Sequence, residues 1–319
     1  MFRLPRRDLE DLREGMVAIA GVSYDYSSTG RWGARIAPEK IREMSLILGS
    51  IYESIGVEIA DVATGQILQF PTPDDVADIG DLNIYPVDWP KTEASLRTAI
   101  TEILQRGALP VILGGDHFVS YPLVLGFSDV MAARGQKAAY IQFSCRFDLG
   151  TKDPAWGTVW RGATARRILD AGPIDQRNMV WVGVHGYVPA DQWALVQERG
   201  LKVFTLQDIR RSSIQEITRR ALESVGTDCS IYVSVDVDVL DGAYAGAVDR
   251  VTFGGLTPVE LQDAVEILRK SNVGAWDFVG VNPLVNPTPY PRNCEHLVST
   301  IIMSLVMARA RARKGEQAS

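Results

Sequence analysis

The chain has 319 residues, with 33 lysines and arginines against 39 aspartates and glutamates, a formal charge of −6. That balance excludes a phosphate-tracking nucleic-acid binder, and a hydrophobic content of 46% excludes a disordered chain. No apolar run approaches the roughly 18 residues a membrane span needs, and the stretch MFRLPRRDLEDLREG has no apolar segment of the kind a secretory leader carries.

Continuous apolar, β-branched runs occur at Met16–Val22, Gly56–Ala60, Leu109–Leu113, Ala138–Phe143, Met179–Val184, Leu201–Thr205, Ser230–Val237 and Gly274–Val281. Strands buried on both faces read this way, so the runs predict a mostly parallel sheet covered by helices. Helix-length amphipathic stretches lie between them. Ser213–Glu216 and Thr257–Glu260 each read as a capping box, the second with Pro258 at the first helical position. Alternating strands and helices predict a three-layer α/β/α sandwich. One domain is expected over residues 1–319, with 1–14 and 314–319 as terminal extensions. Cys145, Cys229 and Cys294 are odd in number and far apart, which predicts free thiols in a reducing, cytoplasmic setting.

Ligands of open parallel sheets bind beyond the carboxyl ends of the strands. Four strand ends carry chemistry: Gly114-Gly115-Asp116-His117, Ser144-Cys145-Arg146-Phe147-Asp148, Asp236-Val237-Asp238, and Asp277-Phe278-Val279-Gly280. Period-two spacing puts Asp236 and Asp238 on one strand face, where like charges repel unless a cation separates them. With His117 and Asp148 at neighbouring strand ends, the set predicts a divalent-metal site of oxygen and imidazole donors.

In these segments the chain resembles the ureohydrolases (arginases, agmatinases and relatives), most closely the agmatinase branch. The matching stretches include SSTGRWGARIAPEKIREMS, ADIGDLN, PVILGGDHFVSYPLV, WGTVWRGA, SVDVDVLDGAYAGAV, FGGLTPVEL and WDFVGVNP, running through nearly the whole chain. The resemblance implies the same sandwich, assembly as trimers or hexamers, and hydrolysis of a guanidinium carbon by hydroxide held between two metal ions, usually manganese.

The resemblance also marks where this sequence departs. The family's G-G-D-H, D-A-H-x-D and S-x-D-x-D motifs supply its metal ligands, and here His117, Asp148, Asp236 and Asp238 are kept. Ser144 stands in place of the carboxylate that bridges both ions, and Arg146 in place of a histidine ligand. A hydroxyl is a poor bridge and a guanidinium has no lone pair to donate. Trp156 replaces a proton-shuttling histidine, Gly280 the glutamate that clamps the substrate guanidinium, and Asn286 an aspartate six residues later. Three retained aspartates and Arg146 leave a charge that one divalent ion, or none, would balance, whereas two would overload it. Arg146 is expected to act as an internal cation paired with Asp236 and Asp238.

Three readings follow. In the first, the chain has no catalytic residues of its own and pairs with an active homologue in a mixed oligomer, as in a metformin hydrolase acting on a biguanide. In the second it holds one metal ion at His117, Asp148 and Asp236 and acts on an altered substrate. In the third it binds a ligand in the old cleft without turning it over. His185 is expected to be a satisfied structural histidine, His296 to cap the last helix, and Cys145 to serve packing, although Arg146 beside it could activate a thiol.

Overall fold

The apolar runs become an eight-stranded sheet in a computed structural model that describes residues 1–51, 58–62, 65–286, 292–313 and 315. In chain order the elements are β1 (Val17–Gly21), α1 (Ala37–Ile51), β2 (Glu58–Asp61), β3 (Gln66–Gln69), β4 (Val76–Asp81), α2 (Trp89–Gln105), β5 (Leu109–Leu113), α3 (Ser120–Ala133), β6 (Lys137–Phe143), α4 (Thr164–Ala171), β7 (Met179–Val184), α5 (Ala190–Arg199), β8 (Lys202–Thr205), α6 (Leu206–Arg211), α7 (Ile214–Val225), β9 (Cys229–Asp236), α8 (Pro258–Leu268), β10 (Val273–Val279) and α9 (Asn293–Arg313). The sheet order is β4-β1-β5-β10-β9-β6-β7-β8, with every pairing parallel. The α/β/α sandwich expected from the strand–helix alternation is therefore present.

Alternation of side chains across each strand divides the core into two layers. In β9, Ile231, Val233 and Val235 face the layer of α1, α7, α8 and α9, where Ile41, Ile217, Leu261 and Val298 are buried. Tyr232 faces the opposite layer with Leu96 of α2, Phe127 of α3 and Ile168 of α4. Buried on both faces, such strands have no polar side to show, which is why they read as unbroken apolar runs.

Several local expectations need correction. The run at Gly56–Ala60 is not a strand of the main sheet. Its described part lies in β2, which pairs antiparallel with β3 in a separate hairpin, and residues 56–57 lie outside the described residues. The edge strand β4 was not anticipated, because Asp78, Gly80 and Asp81 interrupt its apolar pattern. Residues 1–14, the expected N-terminal extension, pack onto the domain, with Phe2 and Leu12 buried in its core. Of the C-terminal extension, residues 314 and 316–319 lie outside the described residues.

Thr257 and Glu260 do form a reciprocal capping box. Ser213 accepts the Glu216 N–H, but the Glu216 carboxylate pairs with Arg219 at 3.3 Å instead of returning to the cap. His296 sits within the first turn of α9 rather than before it.

Candidate functional site

The four central strands β5, β10, β9 and β6 are neighbours, so their carboxyl ends bring all four flagged segments to one place. Past β5, Gly114 and Gly115 let the chain pass close to its surroundings; a Cβ on Gly115 would lie 1.8 Å from the Tyr24 carbonyl oxygen. Asp116 then caps a short 3-10 turn by accepting the Phe118 N–H, which leaves His117 buried at the floor of the cleft. Past β6, Asp148 is held at φ 51°, a conformation that side chains other than glycine adopt only under constraint.

His117 is the centre of the site. Its Nε2 lies 3.1 Å from Ser234 Oγ, and Ser234 donates to Asp277 Oδ1 at 2.6 Å. Because the hydroxyl proton is committed to Asp277, Nε2 must carry the hydrogen, and Nδ1 is the nitrogen left for the cleft. Nδ1 lies 3.1 Å from Asp148 Oδ2 and 3.2 Å from Asp236 Oδ2. Neither approach has hydrogen-bond geometry, so Nδ1 is a buried polar atom without a directed partner. Burial works against a charged ring, but the two adjoining carboxylates outweigh it and hold His117 well above its ordinary value. A proton on Nδ1 would lie between the two carboxylates.

Asp238 is satisfied by different donors. Its Oδ1 accepts from Ser144 Oγ at 3.1 Å and from the Cys145 N–H at 3.0 Å, and its Oδ2 lies 3.4 Å from Arg146 Nη2. Burial opposes the Arg146 charge, yet Asp238 leads the neighbours that keep it above its ordinary value. The expectation that Arg146 pairs with both Asp236 and Asp238 is corrected. Asp236 spends Oδ2 on His117 and Oδ1 on the Asp238 N–H at 2.9 Å, so the guanidinium meets Asp238 alone among the described residues. Nor do the two aspartates share a strand face. Asp236 ends β9 and caps a 3-10 turn over Val237–Val239 that contains Asp238.

The remaining flagged positions lie around this centre. Gly280 has φ 78°, and a Cβ there would come within 2.1 Å of Asp236 Oδ1. The Trp156 indole donates to the Tyr26 carbonyl at 3.0 Å, a structural contact. Asn286 is half-buried, on the side of Gly246. His185 is satisfied by the Gly183 carbonyl at 2.7 Å and Thr252 Oγ1 at 3.1 Å. Cys145 is buried, and burial, followed by Asp238, pushes its thiol up rather than down, so it packs and is not activated.

Sequence reasoning missed the layer beneath. Gln142, Ser234 and Asp277 face one another across β6, β9 and β10, since Ser234 pairs in register with both of the others. Gln142 Nε2 donates to Asp148 Oδ2 at 2.9 Å, and Tyr232 donates to Asp277 Oδ2 at 2.7 Å. The available signal was a polar residue at matching positions in three otherwise apolar strands, a pattern that core packing alone does not explain.

The two-ion arrangement of the resembled family does not fit these residues. Asp238 has its donors from within the protein, no carboxylate is available at Ser144 to bridge, and Arg146 brings a fixed positive charge. Among the described residues, no group of three or more His, Cys, Asp and Glu side chains is arranged to hold a metal ion. His117, Asp148 and Asp236 touch one another directly.

The α/β/α sandwich carries its polar centre at the carboxyl ends of β5, β6, β9 and β10, where open parallel sheets place their sites. Residues 16–308 match the Arginase family, and the chain belongs to that family of ureohydrolases. It is 29% identical over 311 residues to the mitochondrial guanidino acid hydrolase of Homo sapiens, covering 97% of this chain and 82% of that protein. Proclavaminate amidino hydrolase from Streptomyces clavuligerus superposes with a TM-score of 0.78 at 25% identity, covering 98% of this chain and 97% of that one. A variant of Trypanosoma cruzi formiminoglutamase with Mn2+ shares the fold at a TM-score of 0.79 and 21% identity, over 97% of this chain and 96% of that one. Among the described residues, no helix is long and apolar enough to cross a membrane.

Proposed function

We propose that the chain is a ureohydrolase-family subunit without hydrolytic activity of its own. In this reading it assembles with a catalytically active homologue in a mixed, trimer-based oligomer such as a hexamer. The assembled enzyme cleaves a C–N bond of a guanidino or biguanide compound, as a metformin hydrolase does. The observation that carries the reading is the replacement of a metal-ligating surface by internal donors: Ser144, the Cys145 N–H and Arg146 together satisfy Asp238. Two ions that share and deprotonate a water are the source of the nucleophile in a dinuclear hydrolase. A hydroxyl and a guanidinium supply neither the negative charge to hold the second ion nor a base to replace it. The guanidino acid hydrolase likeness supports the substrate class, and the three free, buried cysteines support a reducing, cytoplasmic setting. The test is expression of the chain alone and together with an active homologue. Co-purification at fixed stoichiometry, with turnover only in the mixture, is the expected result, and full turnover by the lone chain refutes it.

The undirected Nδ1 of His117 favours a second reading, in which one divalent ion displaces its proton and is bound by Nδ1, Asp148 and Asp236. An imidazole with two carboxylates is of the right donor type for manganese or a similar ion, although the three side chains are not arranged around an ion here. Elemental analysis of the pure chain after dialysis against Mn2+ distinguishes the readings, since a stoichiometric single ion supports the second.

A further inference from the structure

Four loops lie on the side of the sheet that holds the polar centre: residues 22–33 beyond β1, 157–163 ahead of α4, 237–257 beyond β9 and 280–286 beyond β10. Thr29, Arg161 and Arg250, from three of them, stand in the wall of a cavity beside Asp148. All four loops converge on one side chain, Asp249, which is 2% exposed. Its Oδ2 accepts from Ser28 Oγ at 2.7 Å and from Arg161 Nη1 at 2.7 Å, and its Oδ1 accepts from Asn282 Nδ2. Main-chain bonds join the loops in pairs. The Arg161 N–H donates to the Ser27 carbonyl at 3.1 Å, and the Asn282 N–H to the Ala247 carbonyl at 2.7 Å. Asn282 Nδ2 also donates to the Arg31 carbonyl at 2.8 Å. Beneath the loops, His117, Asp148, Asp236 and Asp238 are all buried.

We infer that Asp249 is a latch: it fastens the four loops into one unit, and the buried centre is reached only when that unit opens as a whole. Asp249 is withdrawn from water, so its charge must be met inside the protein. Arg161 is in the same position. It is buried, its Nη2 has no acceptor, and Asp249 is its one carboxylate partner among the described residues. Lifting a single loop strands a buried charge or deprives it of a donor, whereas lifting all four together returns both charges to water. The contact therefore favours concerted opening over separate fraying, which makes the loops one cooperative unit of the kind hydrogen exchange detects. The latch belongs to the loops and not to the groups below, so it holds whether or not the chain hydrolyses anything.

Hydrogen exchange on the full chain, resolved into peptides by mass spectrometry, tests the latch. Each loop supplies a hydrogen-bonded amide to follow: Ser28, Arg161, Gly242 and Asn282. In Asp249→Ala, exchange should rise about tenfold or more in all four peptides together, with α2 and α7 unchanged. Ser28→Ala is the second variant, because it removes one donor, leaves the carboxylate in place and folds even where the first variant does not. It should raise exchange at Gly242 and Asn282 as well, although both lie in other loops. A rise confined to the substituted residue's own loop, a rise spread equally over α2 and α7, or no rise at all overturns the inference.

Discussion

Gly280→Ala is the most direct probe of how the site has been rebuilt. On its own, replacing glycine with alanine stabilises a protein by about 0.4–1 kcal/mol, because the unfolded chain loses freedom. Two effects oppose that gain here. Residue 280 sits at φ 78°, where an L side chain costs about 1–2 kcal/mol. The new Cβ would also lie 2.1 Å from Asp236 Oδ1, so the carboxylate must turn and release the Asp238 N–H that it accepts at 2.9 Å. Losing a buried hydrogen bond to a charged group costs a further ~1–3 kcal/mol. The net expectation is a loss of about 1–4 kcal/mol, which at roughly 2 °C per kcal/mol lowers the thermal midpoint by about 2–8 °C. Gly135→Ala is the control, because Gly135 has φ 68° but nothing within 4 Å of its Cβ position. It carries the backbone cost without the clash. Thermal and urea unfolding of both variants isolates the Asp236 contact as the difference between them, with an unchanged m-value confirming that stability alone is compared. If Gly280→Ala is no less stable than Gly135→Ala, the close packing of Gly280 on Asp236 is wrong. The same geometry predicts that Gly280→Glu, which restores the residue type of the family clamp, yields a destabilised chain with no gain in agmatine binding by calorimetry.

Ser234→Ala removes the donor to Asp277 Oδ1 and the acceptor for His117 Nε2 together, and should cost about 1–3 kcal/mol in urea unfolding; a neutral result would show that the polar layer is not stabilising. The double variant Ser144→Asp with Arg146→His returns a carboxylate and an imidazole to the cleft, and elemental analysis after dialysis against Mn2+ should find more bound metal than in wild type; an equal content argues against the charge reasoning. Glu295 is fully buried, and among the described residues neither carboxylate oxygen has a hydrogen-bond partner, while Arg292 lies 3.6 Å away. Burial is the main cause that raises its proton affinity. A raised carboxyl favours the folded state at low pH, and that stability is lost as pH rises through the folded-state value. Glu295→Gln should therefore raise the unfolding temperature at pH 8 while changing it little near pH 4, and the reverse order would contradict the sign.

The strands and the polar cluster at their ends were readable because burial on both faces imposes unbroken apolar runs, and because polar side chains in this architecture gather where those runs end. Seven of the eight runs lie in the main sheet for that reason. The failure at Gly56–Ala60 has a physical cause: four apolar or neutral residues beside a turn satisfy a two-stranded hairpin as well as a sheet, and run length cannot separate the two. Strand β4 escaped because Asp78 is buried through ion pairing with Arg42, a long-range compensation that hydropathy does not register. The roles of Ser144 and Arg146 as substitutes were legible one residue at a time. Their partners were not. Which aspartate Arg146 meets depends on the turn after β9, and Arg250 joins the cavity from a loop with no periodic pattern.

The departures at Ser144, Arg146 and Gly280 behave as one rearrangement rather than as separate losses. With a proton on His117 Nδ1, the three aspartates face two positive side chains, and their remaining demand is met by the Gln142 amide, the Ser144 hydroxyl and two backbone N–H groups. Each of these donors is fixed by the strand or turn that carries it, so the carboxylates are neutralised at no cost in flexible side-chain order beyond Arg146 itself. Asp236 can accept from the Asp238 N–H only because Gly280 leaves room beside it. Reverting a single position therefore breaks the new arrangement without rebuilding the old one. Activity should return only when the bridging carboxylate, the imidazole and the substrate clamp are restored together, since two ions need the first two and the substrate guanidinium needs the third.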